Sequence, residues 1–98
     1  MDYRQPHEVL LFFGKGRNWE QGNKECLIAQ QQYYHQLQLE GKVLRTGLQV
    51  HETGLFVSLF VDSDAALFAI LEQDPALREE VAEVLQAIPL ATGIREAV

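Results

Sequence analysis

The chain opens its pattern with Val9-Leu10-Leu11-Phe12-Phe13, a continuously apolar run that ends at Gly14-Lys15-Gly16. Such a run predicts a short strand covered on both faces. After a loop over Gly14 to Asn18, residues from about Trp19 to Glu40 contain no Pro and only Gly22, and are dominated by Gln, Glu, Leu and Ala. These are good helix formers, so the stretch predicts one long helix closed by Gly41 at its C-terminal end. Leu27, Gln30, Tyr34 and Leu37 recur at the spacing of a single buried stripe, with Gln30 as its polar member.

Residues 43–50 and 55–61 alternate around His51-Glu52-Thr53-Gly54, the signature of a hairpin. Pairing Val50 with Leu55, Leu48 with Val57, Thr46 with Leu59 and Leu44 with Val61 makes one face almost wholly aliphatic. The opposite face then carries Val43, Arg45, Gly47, Gln49, Phe56, Ser58 and Phe60. Asp62-Ser63-Asp64 supplies an N-cap and an acid for a helix over Ala65 to Gln73, which Asp74-Pro75 stops because the residue before Pro is pushed out of the α region. Ala76 to Ile88 carries two patterns at once. Val81, Val84, Leu85 and Ile88 fit a helical stripe, which the periodicity favours, whereas Val84, Gln86 and Ile88 alternate as a strand ending at Pro89.

Were that last element a strand, the order would be βαββαβ, a ferredoxin-like α+β domain with a four-stranded antiparallel sheet and two helices on one face. Such a two-layer fold leaves the other sheet face bare. Phe56, Phe60 and one side of the first strand need a cover there, which predicts a homodimer through the face carrying Arg45, Gln49, Phe56, Ser58 and Phe60. Arg45, on that mixed face, wants an acid of the other chain.

Length and composition narrow the picture. The 98 residues make one domain, 1–98, with a core over about 8–89, and 47% hydrophobic with 22% charged residues is the composition of a folded globular protein. Apolar runs fall far short of the roughly 18 residues of a membrane span. The first residues lack the features of a signal peptide, so the expected location is cytoplasmic. A lone Cys26, with no CxxC or Cys/His cluster, points to neither a disulfide framework nor a metal, and no cofactor is expected. Residues 1–49 hold six Lys/Arg and five Asp/Glu, residues 50–98 two and nine, giving the net −6. Without a basic stripe the chain is not expected to bind nucleic acid.

Glu40-Gly41-Lys42-Val43-Leu44-Arg45-Thr46-Gly47 after a helix and before a Gly-bearing hairpin, Ala65-Ala66 in a helix, Asp74-Pro75, and Pro89 fifteen residues after Asp74 together resemble the YciI-like (YCII-related) family. The similarity covers about residues 8–89. It implies a dimeric α+β barrel of ferredoxin-like subunits and makes residues 83–88 the fourth strand, against the periodicity. It also implies a pocket where a His on the first helix meets the Asp of the Asp-Pro turn. Counted back from Gly41, that His position falls on Gln30, while Asp74 matches the Asp.

The departure matters chemically, because imidazole exchanges a proton near neutral pH and an amide only donates and accepts hydrogen bonds. His35 lies about 140° round the helix from Gln30 and cannot stand in. Tyr34 shares the stripe, but a phenol titrating near 10 is a poor base. Asp74 also has a plain role as a turn and cap residue. Phe13-Gly14-Lys15-Gly16-Arg17 places two cations ahead of a helix, a mouth for a small anionic or aromatic ligand, yet matches neither the Walker nor the dinucleotide pattern. Two functions remain open. One is a non-catalytic or ligand-binding dimeric domain that lacks the His. The other is a lyase- or isomerase-type enzyme with Asp74 as acid/base, Gln30 and Tyr34 positioning the substrate, and Lys15 or Arg17 drawing in an anion.

Overall fold

The computed structural model of the chain describes residues 5–22, 24–49 and 54–90. Seven elements follow in order: β1 His7–Lys15, α1 Glu25–Leu39, β2 Val43–Leu48, β3 Leu55–Val61, α2 Asp64–Glu72, α3 Pro75–Arg78 and β4 Ala82–Leu90. The strands form one antiparallel sheet in the order β2-β3-β1-β4. This is an α+β fold consistent with a ferredoxin-like arrangement, with α3 as a third helix between α2 and β4.

Period-two alternation builds the sheet's packed face. Val9, Leu11 and Phe13 of β1 and Leu55, Val57, Leu59 and Val61 of β3 are all buried against Tyr34 and Leu37 of α1 and Leu67 of α2. Each fully buried aliphatic or aromatic side chain contributes about 1.5–3 kcal/mol of transfer free energy, so this cluster is the main source of stability. Gln30, Tyr34 and Leu37 are the buried residues of α1, with Leu27 half-buried, as the stripe predicts.

Local chemistry sets the helix ends. Gly41 has φ +84°, and the amides of Gly41 and Lys42 donate to Gln38 O (3.0 Å) and Leu37 O (2.9 Å). That double bond pattern is the Schellman motif, in which Gly takes the left-handed position without a Cβ clash. Ser63 caps α2, its Oγ accepting from Ala66 N at 3.0 Å, with Asp64 in the first turn.

Two expectations are corrected. First, α1 begins at Glu25 rather than near Trp19. Residues 16–22 form turns instead, because the amides of Gly16 and Asn18 donate to Val81 O (2.9 Å) and Glu80 O (2.8 Å), which docks this loop on the start of β4. Second, the hairpin register is offset by two residues: Leu48 pairs with Leu55, Gly47 with Phe56, Thr46 with Val57 and Arg45 with Ser58. A bulge between Val43 and Arg45 then puts Val43 opposite Leu59 and into the core, while Leu44 is 51% exposed. The extra residue switches Val43 to the packed face and removes it from the mixed one. Residues 82–90 form the fourth strand that the resemblance implies over 83–88, against the helical periodicity of the same residues. Pairing with β1 sends Val84 to the core cluster, and a bulge at Phe12/Phe13 lays Leu85 over Gly14. Of the apparent helical stripe, Val81 and Val84 thus belong to the packed interior, and Leu85 and Ile88 to the opposite face.

Among the described residues no helix covers that opposite face. On it lie Leu10 and Phe12, half-buried, with Phe60 (43%) and Leu85 (55%) exposed, and Phe12 and Phe56 pack with ring centroids 5.1 Å apart. Gln49 ties the end of β2 to its neighbours, donating from Nε2 to Phe13 O (2.8 Å) and Leu55 O (3.3 Å). The expectations for Val50 and His51 lie outside the described residues.

Candidate functional site

The chain is steered to the site by two local devices. The stripe of α1 points Gln30 and Tyr34 under the helix layer, 3% and 0% exposed. Asp74, 0% exposed, sits in extended backbone (φ −70°, ψ 117°) just before Pro75, as the restriction on residues preceding proline requires. Pro75 then occupies the first turn of α3, where its missing N–H costs nothing.

The three side chains meet. Asp74 Oδ1 accepts the amides of Ala76 (2.8 Å) and Leu77 (3.1 Å), capping α3. Asp74 Oδ2 accepts Gln30 Nε2 (2.9 Å) and the Tyr34 hydroxyl (2.7 Å). Four donors thus converge on two oxygens, which saturates the acceptor capacity of a carboxylate. All four donors are neutral. The cluster joins α1 to α3 across 44 and 40 residues of sequence. Beside it, the Tyr33 hydroxyl donates to Ile70 O (2.6 Å), tying α1 to α2, and Tyr34 packs on Phe13 (5.8 Å) and edge-on to Tyr33 (5.0 Å).

Burial drives the Tyr34 phenol well above its ordinary range, and the Asp74 charge and the hydrogen bond to it push the same way. Tyr34 is therefore a fixed donor at physiological pH and no base. Burial also raises the half-buried Cys26 thiol, which keeps it in the unreactive form.

Lys15 and Arg17 are engaged elsewhere. Arg17 pairs with Glu80 at 2.7 Å on the surface, and Lys15 and Lys24 lie over the Trp19 ring with Nζ 5.4 and 4.5 Å from its centroid. Asn18 adds a bond from Nδ2 to Glu79 O at 3.2 Å. Arg17 thus serves the docking of this loop on the turn between α3 and β4, while Lys15 and Lys24 flank Trp19. His35 is exposed on α1 and lines, with Thr46 and Leu48, a groove of about 640 Å³ between α1 and β2. A second groove, about 540 Å³, lies between α1, α2 and the end of β3. Neither groove includes Gln30, Tyr34 or Asp74.

Sequence reasoning passed over Glu8, which lies on the helix-free face and accepts a hydrogen bond from the buried Ser58 hydroxyl. The signal was the even parity it shares with Leu10 and Phe12. Arg45 is on the same face, its guanidinium 5.8 Å from the Phe56 ring. Among the described residues no group of three or more His, Cys, Asp or Glu could hold a metal ion, and no helix is long and apolar enough to cross a membrane. No protein-family model matches the chain, and no curated protein matches it.

Proposed function

We propose that this chain is a non-catalytic, YciI-like homodimeric module, in which Gln30, Tyr34 and Asp74 form a structural lock between α1 and α3 rather than an active site. The observation that carries this reading is the complete saturation of a fully buried Asp74 by two backbone amides, an amide side chain and a phenol. A general acid or base must reach the substrate's proton within hydrogen-bonding distance, and every acceptor site on Asp74 is taken by the protein. Gln30 cannot shuttle a proton, and Tyr34 holds its own too tightly. Work therefore falls to surfaces, and the helix-free sheet face presents Leu10, Phe12, Phe56, Phe60 and Leu85 as an apolar one. A second copy of the chain stacked sheet against sheet would cover Phe12, Phe56 and Phe60 and complete a dimeric α+β barrel.

Titration of the ¹⁵N-labelled protein with small carboxylates and phenols tests the reading. The amides of Ala76 and Leu77 and the Gln30 side-chain amide are expected to stay unshifted throughout. Saturable shifts confined to those three groups would restore a ligand pocket at Asp74 and with it the lyase- or isomerase-type alternative.

A further inference from the structure

The helix-free face carries opposite charges that do not meet within one chain. Arg45 of β2 pairs with Ser58, Ser58 with Leu10 and Leu10 with Ile88, so these residues form one row across the sheet. Glu8 lies one row away on β1, opposite Phe60. With strands about 4.8 Å apart and a rise of about 3.3 Å per residue, the Cα atoms of Arg45 and Glu8 are roughly 12 Å apart. Among the described residues Arg45 has no carboxylate partner and Glu8 no cationic one. Ser58, 2% exposed, holds the Glu8 carboxyl in place from below.

Two sheets stacked by a two-fold axis are related by an axis lying in the interface, so each residue meets the one at its mirror position across a line drawn on the face. The line that carries Arg45 onto Glu8 passes between Ser58 and Leu10. On the same strand spacings it also carries Phe56 onto Ile88. One placement therefore closes two ion pairs and seats an aromatic ring on an aliphatic side chain twice. The strands of the two sheets then cross at roughly 70°, nearer the orthogonal packing class than the aligned one.

We infer that Arg45 of each chain pairs with the partner's Glu8, so that two symmetric ion pairs set the register of a sheet-to-sheet homodimer. This rests on the dimer reading above and adds its register. Ion pairs enclosed by an apolar interface discriminate against misaligned partners more than they add raw affinity. Phe56 supports the guanidinium from below in the free chain, which pre-orients it toward the partner.

Sedimentation equilibrium on the full chain with R45E, E8R and E83R tests the inference, Glu83 being a second acid on this face through its pairing with Gly14. The unaltered protein is expected to be a dimer, and R45E and E8R alone to weaken it at least tenfold. A 1:1 mixture of R45E and E8R chains should recover the original affinity as a heterodimer, since each ion pair again has one acid and one base, whereas R45E with E83R should not. Recovery guards against misfolding, because an unfolded variant cannot be rescued by mixing. A dimeric wild type whose R45E and E8R mixture fails to recover, or recovers only with E83R, overturns the Arg45–Glu8 pair and leaves the dimer standing. A monomeric wild type at every concentration overturns the dimer itself.

Discussion

Replacing Asp74 separates a structural lock from a working carboxylate. In Asp74→Ala the amides of Ala76 and Leu77 lose their cap, and helix caps are worth about 0.5–2 kcal/mol. The Gln30 amide and Tyr34 hydroxyl lose their acceptor inside the protein, at about 1–3 kcal/mol each for a buried unsatisfied group. Release of a buried carboxylate from its desolvation penalty offsets part of this, leaving an expected loss of about 3–5 kcal/mol. Against a total stability of about 5–15 kcal/mol for a domain of this kind, the variant should be close to unfolding. Urea unfolding followed by circular dichroism at neutral pH reads the effect as a lowered midpoint with an unchanged slope. Asp74→Asn is the matched control. It keeps an acceptor for Ala76 and Leu77 but turns an amide toward two donors, so about 1–2 kcal/mol is expected. An Asp74→Ala protein as stable as wild type, or more so, would refute the reasoning, because residues retained for chemistry at the expense of stability give neutral or stabilised variants when removed.

The remaining predictions concern neighbouring groups. The Tyr34 phenol is raised in the folded state, so its contribution is fully present below about pH 10, the unfolded value, and declines above it by about 1.4 kcal/mol per pH unit. Urea midpoints between pH 9 and 12 should fall steeply in wild type and flatten by about one proton in Tyr34→Phe; parallel curves would contradict the assignment. Glu80 adopts φ 57° at the end of α3, where its amide and that of Val81 donate to Leu77 O (3.1 Å) and Ala76 O (3.0 Å). Glu80→Gly relieves the left-handed strain while losing only an exposed ion pair to Arg17, and should raise stability by up to about 1 kcal/mol in thermal unfolding.

What the sequence made legible was local chemistry. The apolar run of β1, the stripe through Gln30, Tyr34 and Leu37, the Ser63 cap and the Gly41 stop each depend on residues within a few positions of one another. What it hid depended on distant partners. The loop over residues 16–22 looks helical until Val81 and Glu80 take its amides, and the single inserted residue at Leu44 is invisible to a count of alternation. The strand over residues 82–90 competes with an equally good helical stripe, and pairing with β1 decides it. At the site, spacing on α1 brought Gln30 and Tyr34 together, but nothing in the residues themselves announced that four donors would converge on Asp74. Glu8 was hidden for the same reason, since its partner Ser58 lies 50 residues away.

Native-state hydrogen exchange at the Ala76 and Leu77 amides tests most directly whether the Asp74 cluster is a lock. Amides held by a structural cluster exchange only when the whole domain opens, whereas ligand sites are drawn from the least stable parts of a fold. The account predicts opening free energies at Ala76 and Leu77 equal to the global unfolding value from urea and falling with it in Asp74→Asn. Exchange through a local opening several kcal/mol below the global value would contradict it, and would mark the turn at Asp74 as a segment built to move.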